Sequence, residues 1–412
     1  MSATTRVLLG LIIGAATGLV LAEWTPAMAL RVADVAQPIG HLWLNALQMT
    51  VVPLVLALVV IGVNTASDAA ASGRIARHAI IVFIVLLTFG ALFTALAAPA
   101  LLALFTPDPA LGAALASAAV AQAAPLATVG WADWFSGIIP VNAIMAAAQS
   151  AMLPLVVFAL FLGFALTRIE AKRRALLVDL FQAIADAMIV IVRWVLWAAP
   201  LGVFALILAV CARAGLSMLS ALGLYIGLEC ALYIVLALTM IPIAWFFGGE
   251  HMGRFVIAIV PAQVVAASTQ SSLASLPAML ESANERLGYP RPVTALVLPM
   301  AVTLFRLTSP VQYVASACFI AWASGIDVPT AQLVAASLLA VVISLGSVGL
   351  PGQVSFMATN LPVTQAMGLP IGPLGLLLAV DTIPDVFATV GNVTADLTAT
   401  SIVARRARRS AQ

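Results

Sequence analysis

Asp381, Asp385, Thr389, Asn392 and Asp396 fall in a mostly apolar stretch, Leu376 to Val403, long enough to cross a bilayer as a helix. At about 100° per residue, such a helix gathers all five within about a quarter-turn arc. A carboxylate at the bilayer centre costs roughly 2.5–3.5 kcal/mol on insertion scales. Three on one face therefore need partners or a wet cavity. A seam that only holds helices together needs no more than Ser, Asn or a single pair, so the stripe reads as a solute or ion site. A guanidinium, Arg306, lies in the middle of another apolar run, 292–324. Buried without a partner it would be costly, so Asp396, Asp385 or Asp381 should be within its reach.

Other groups offer less chemistry. Cys211, Cys230 and Cys318 lie in separate apolar segments without metal-ligand spacing and read as small hydrophobes. His41, His78 and His251 are isolated and read as interfacial or packed side chains. Glu229 is an intramembrane acid without an assigned role, placed with the scaffold helices. A P-loop, a nucleotide fingerprint and a haem motif are lacking. So is the Gly-x-Gly-Asp motif of intramembrane aspartyl proteases, and the reading is of a protein that is not an enzyme.

The elements that position these residues follow from composition. The 412 residues are 63% hydrophobic and 8% charged, with mean hydropathy +1.15. Soluble domains carry about 25% charged residues, so this is a polytopic membrane protein. Its net charge of +2, spread over many loops, points to no nucleic-acid partner. Spans are expected at roughly 5–23, 39–66, 78–105, 151–166, 178–212, 216–248 and 292–324, with the stripe helix last. Short or broken helices are expected within 106–150. The opening run could pass for a signal peptide, but an uncleaved first helix is preferred, with Gly10, Gly14 and Gly18 as a close-packing face.

Two segments depart from this pattern. Residues 255–290 and 331–369 are apolar pieces split by Ser268-Thr269-Gln270-Ser271-Ser272 and by Gly346-Ser347-Val348-Gly349-Leu350-Pro351-Gly352-Gln353. Interrupted hydrophobic segments in corresponding places point to a transporter site. Each reads as a re-entrant hairpin whose tip offers unpaired backbone groups to a ligand. Basic residues at Arg6, Arg74, Arg77, Arg168, 172–174 and 405–409 put both termini in the cytoplasm.

The stretches IIPVNAIMAAAQSAMLPLVVFALFLGFAL, WAAPLGVFALIL, STQSSLASLP, GLPG and AVDTIPDVFATVGNVTAD resemble the glutamate/aspartate transporter family, the dicarboxylate/amino acid:cation symporters, over nearly the whole chain. The resemblance implies an all-α membrane protein of eight transmembrane helices and two hairpins, with inverted repeats. It implies a homotrimer in the cytoplasmic (inner) membrane and an elevator-type movement. Scaffold helices would come from 1–77 and 106–215, and a transport domain from 78–105 and 216–412. No cofactor is implied beyond a coupling ion, H+ or Na+.

By the same resemblance, Asp385 pairs with a substrate amino group, and Thr389 and Asn392 lie around its amino and carboxylate ends. Ser271 and Ser272 hold its carboxylate, Ser309 lines the site, and Pro351 and Gly352 form a gate. Asp396, with Asn392, is a candidate sodium ligand, and Asp381 is a further acid of the same helix. Asp381, Asp385, Asn392 and Asp396 are the coupling-ion candidates.

Departures bear on coupling and on substrate. The family's Asn-Met-Asp-Gly-Thr run is here Phe305-Arg306-Leu307-Thr308-Ser309, so a sodium-ligating aspartate has become Leu307. Further oxygen donors of the family fall at Val82, Leu86 and Leu87, and the arginine of acidic-substrate members falls at Ala388. Apolar side chains cannot replace the water shell of an ion. Arg306 then has three readings: a tethered cation pairing with Asp396 in place of a coupling ion, a bidentate partner of a substrate carboxylate, or a structural ion pair. The expected function is symport of an amino acid or dicarboxylate, with proton coupling favoured over full sodium coupling. A sodium-coupled acidic amino acid symporter and a channel-like anion conductor are the alternatives.

Overall fold

The computed structural model describes residues 3–71, 73–106, 137–346 and 352–411, and among these every regular element is helical. In chain order they are α1 (Ala3–Trp24), α2 (Pro26–Gln48), α3 (Val51–Ala71), α4 (Arg74–Leu102), α5 (Ala143–Ala148), α6 (Met152–Leu166), α7 (Ala171–Trp197), α8 (Ala199–Ala214) and α9 (Leu216–Ile243). Then follow α10 (Met252–Thr269), α11 (Leu276–Glu281), α12 (Arg291–Leu304), α13 (Thr308–Ser324), α14 (Thr330–Gly346), α15 (Gly352–Ala366), α16 (Leu374–Val380) and α17 (Thr382–Ala411). Single π-helical turns extend α9 and α11. Among the described residues, seven helical runs are long and apolar enough to cross a membrane, with four shorter apolar helices beside them. Most of the expected broken region, 107–136, and the tip 347–351 with Pro351 lie outside the described residues.

Four expected continuous helices are interrupted, each just before a proline. The second span begins at Pro26 and breaks at Met49–Thr50, where Pro53 cannot donate to the Met49 carbonyl. The fifth divides at Ala198, where Pro200 has no N–H for the Leu196 carbonyl and the Ala198 N–H donates to the Val195 carbonyl at 3.1 Å. The seventh unwinds at Phe305–Leu307, with Phe305 extended at φ −119° and ψ 90°. Pro310 is the cause on the chain's own side, since it has no N–H for the Arg306 carbonyl. The stripe helix breaks at Asp381, where Pro384 withholds a bond from Val380.

The helices fall into two packed groups. One joins α1 and α2 to α8, and α3 to α6 and α7; the other surrounds α17 with α4, α9, α10, α12 and α13. Between them α14 touches α3 and α4, and α15 touches α3, α6 and α13. α10 doubles back through a turn at Gln270 (φ 52°) into α11. The open end of that pair is tied by Arg254, whose Nη2 donates to the Arg286 carbonyl at 2.7 Å. The chain thus returns to the end it left.

One end of the molecule collects the basic segments. Arg174 Nη2 lies 2.7 Å from Asp68 at the close of α3, and Arg406 Nη1 lies 3.3 Å from His78 at the start of α4. Arg213 pairs with Asp34 at 2.7 Å elsewhere. The glycine face of α1 packs on α8 as its spacing suggests. A Cβ on Gly10 would strike the Pro200 carbonyl, and one on Gly14 or Gly18 would come within 2.7 Å of Phe204 O or 2.8 Å of Leu208 O. Backbone atoms cannot step aside as side chains do, so Gly14→Leu should cost at least the roughly 1–3 kcal/mol of ordinary overpacking. Heating detergent-solubilised protein and following the monodisperse fraction should show a lower midpoint for Gly14→Leu. Gly223→Leu, whose Cβ would meet nothing within 4 Å, should match the parent.

Candidate functional site

α17 and the break before it form the wall of the site, and their acids face inward. Asp381 is 3% exposed and Asp396 0%, Thr389 and Asn392 are buried, and Asp385 is half-buried. α13 runs antiparallel to α17: Thr308 meets Ala388 and Asn392, while Gln312, one turn on, meets Asp381. The pairing has a local cause. Unwinding at Phe305–Leu307 leaves the first N–H groups of α13 without helical acceptors. The Asn392 side chain supplies one, accepting from Thr308 N at 2.9 Å, and Thr308 Oγ1 donates to the Ala388 carbonyl at 3.3 Å. Gly391 makes the approach possible, since a Cβ there would lie 2.9 Å from the Thr308 methyl. Asn392→Leu would leave the buried Thr308 N–H unsatisfied. A loss of roughly 1–3 kcal/mol should appear as a lower thermal midpoint, whatever happens to uptake.

The first hairpin's tip reaches the same place. Gln270 Nε2 donates to the Thr382 carbonyl at 3.3 Å, beside the break at Asp381. Ser271 and Ser272 follow directly, both half-buried. Ser271 Oγ accepts from Ala274 N at 3.2 Å and its carbonyl accepts from Ser275 Oγ at 2.9 Å, which holds the tip turn together. Along the arm, Gln263 Nε2 donates to Thr394 Oγ1 at 2.9 Å. Of the second tip, Gly352 opens α15, and Ser344, on the other arm, donates to the Arg306 carbonyl at 3.4 Å.

Arg306 stands at the unwound segment with Ser309, whose N–H donates to the Arg306 carbonyl at 3.0 Å. It lies within electrostatic reach of Asp381, Asp385 and Asp396. Neither Asp396 oxygen accepts a hydrogen bond among the described residues, so the tie between Arg306 and Asp396 is one of charge and not of a hydrogen bond. The two chain neighbours of Arg306 are apolar and packed. Phe305 stacks on Phe83 with ring centroids 4.8 Å apart and planes 6° from parallel. Leu307 is fully buried, and Val82, Leu86 and Leu87 are buried on α4.

Three neighbours of the site carry weak sequence signals. Gln312 donates to Asp381; four residues on, on the same face, Ser316 donates to Glu229 Oε1 at 3.3 Å and lies 3.0 Å from the Tyr225 hydroxyl. Glu229 is 0% exposed on α9, in the group around α17, and is joined to the Asp381 side of α13 by Ser316, one turn from Gln312. Gln270 was visible only as part of a polar run. Chemically, the assembly offers carboxylates and a guanidinium for a zwitterion, and hairpin-tip hydroxyls and backbone for its acid group.

The chain matches the model of the sodium:dicarboxylate symporter family over residues 3–406. It is 28% identical over 408 residues to the proton/glutamate-aspartate symporter of Escherichia coli (strain K12), covering 97% of this chain and 92% of that one. It is 29% identical over 410 residues to the proton/sodium-glutamate symport protein of Bacillus subtilis (strain 168), with 97% and 92% covered. It is also 30% identical over 421 residues to the human neutral amino acid transporter B(0), with 93% and 76% covered. These relatives are transporters, not enzymes. With its buried acid stripe, broken helices and doubled-back segment, this multi-pass membrane protein belongs to the sodium:dicarboxylate symporter family.

Proposed function

We propose that this symporter moves an amino acid or dicarboxylate by alternating access and couples that movement to protons rather than to a full set of sodium ions. The observation that carries the reading is the Gln270–Thr382 bond, which brings the first hairpin's tip to the break at Asp381, with Asp385 one turn on and Arg306 within electrostatic reach of both acids. A substrate amino group faces Asp385 and Thr389, and its carboxylate faces Ser271, Ser272 and Ser309. Asn392 lines the site while capping α13, and Pro351 and Gly352 gate it from the second hairpin.

Proton coupling is supported by what surrounds Arg306. Where the family pattern has an oxygen donor, Leu307 is packed against α4, with its Cδ1 3.2 Å from the ideal Cβ position of Gly90. Phe305 fills the next position by stacking on Phe83. A sodium ion there would exchange its water for hydrocarbon. Protons can bind Asp381, Asp385 or Asp396, with Arg306 as the fixed cation among them. The sodium-coupled reading has one observation in its favour, the two unengaged oxygens of Asp396.

The two packed groups support the division of labour. Residues 1–77 and 106–215 form a scaffold, while 78–105 and 216–412 form a transport domain that moves against it, with 255–290 and 331–369 re-entrant. The protein works as a homotrimer in the inner membrane, both termini cytoplasmic. The test is counterflow in proteoliposomes loaded in turn with aspartate, glutamate, succinate, alanine and serine. Saturable exchange of at least one of them supports a carrier. Currents far above carrier turnover, without counterflow, would replace it with a channel.

A further inference from the structure

At the basic end of the molecule the first turns of α4 and the last turns of α17 enclose a cleft of about 520 Å³. Its walls carry Arg74, Arg77, His78 and Arg406, with aliphatic Ile75, Ile81 and Val403 between them, and no acid among the lining residues. Arg406 Nη1 comes within 3.3 Å of His78 Nδ1. The side chains of Arg74 and Arg77, both exposed, make no hydrogen bond or ion pair among the described residues. Other arginines at this end are engaged: Arg174 with Asp68, Arg405 with the Phe246 carbonyl and Arg408 with the Gly288 carbonyl. Cationic groups converging from two helices repel one another unless an anion lies between them.

The face of α4 that opens on this cleft continues into the bilayer. Positions 74, 77, 78, 81, 84 and 85 recur at helical spacing on one side. They are basic for the first turn and a half, then aliphatic: Ile81, Ile84 and Val85 are 52%, 41% and 60% exposed. From Arg74 to Ile81 the helix rises about 10 Å, slightly more than the roughly 5–8 Å of one headgroup layer. The charged part thus lies at headgroup depth and the aliphatic part at acyl-chain depth.

We propose that this cleft seats the phosphate headgroup of an anionic phospholipid, whose acyl chain runs along Ile81, Ile84 and Val85. Arg74, Arg77 and Arg406 contact the phosphate, and His78 orients Arg406. A basic pocket between membrane helices suits such a headgroup, whereas a zwitterionic lipid brings its own ammonium into the same cations.

The test is native mass spectrometry of the full chain in detergent, titrated with phosphatidylglycerol, with phosphatidylcholine, and with phosphatidylglycerol in the presence of inorganic phosphate. Retention of phosphatidylglycerol over phosphatidylcholine is expected. The double variant Arg77→Gln/Arg406→Gln should weaken it roughly 30-fold, two arginines' share at the strength usual for basic residues near anionic lipid. Arg168→Gln/Arg173→Gln, which removes equal charge elsewhere, should leave retention unchanged. Should the double variant elute as aggregate, Arg77→Gln alone serves, with about a fivefold loss expected. Equal retention by cleft variant and parent, or equal retention of both lipids, would overturn the proposal. Full displacement by millimolar phosphate would overturn the lipid as the source, leaving a free-anion site.

Discussion

Asp385→Asn should lower substrate uptake by roughly two orders of magnitude or more while leaving the protein folded. Asp385 is half-buried on α17, one turn from Asp381, whose carbonyl accepts its N–H at 3.0 Å. Its own carbonyl accepts from Thr389 Oγ1 at 2.8 Å. Both bonds use the backbone, so the substitution leaves them in place. What is lost is the charge offered to a substrate ammonium. Truncating one partner of a buried, hydrogen-bonded charge pair costs about 2–5 kcal/mol, a factor of roughly 30 to several thousand in affinity. Uptake by proteoliposomes, beside an unchanged thermal midpoint, checks it. Uptake within threefold of the parent would mean that the amino group docks elsewhere.

Arg306→Met should abolish most uptake for acidic and neutral substrates alike. The guanidinium lies within electrostatic reach of all three aspartates, at a point where the backbone is already unwound. Breaking a buried charge arrangement by removing one sign typically costs about 3–5 kcal/mol, enough to reorder the site whatever the substrate carries. A tethered cation makes no distinction between substrates. If only acidic substrates lost affinity, by tenfold or more, Arg306 would instead be their carboxylate partner. If neither changed, it would be a structural pair. Measuring affinity for one acidic and one neutral substrate in parent and variant separates the three.

The acid stripe and the glycine face were legible because each breaks a rule that lipid or packing enforces strictly. Carboxylates are not tolerated in hydrocarbon without a purpose, and three glycines at i, i+4, i+8 leave a groove only another backbone fills. The interruptions at Phe305–Leu307 and Asp381 were not legible in the same way. Pro310 and Pro384 precede no break; they follow one, and Pro38, Pro99, Pro242, Pro261, Pro299 and Pro362 lie within continuous helices. A proline therefore permits an interruption without requiring it, and tertiary partners such as Asn392 decide. Gln312 and Ser316 were invisible, and Gln270 stood out only within its polar run, for a related reason: a single polar residue acquires meaning only when its helix is known to face an acid. Glu229 stood out as a buried acid, but its proximity to Asp381 depends on how α9 packs against α13 and α17.

In the proposed transport cycle, Arg306 and protonatable aspartates do what sodium does elsewhere. The most direct test is accumulation of one transported amino acid in proteoliposomes under two separately imposed gradients. Accumulation under an inward proton gradient without sodium, and none under an inward sodium gradient at equal pH, is the predicted result. Accumulation driven by sodium and indifferent to the pH difference would contradict it.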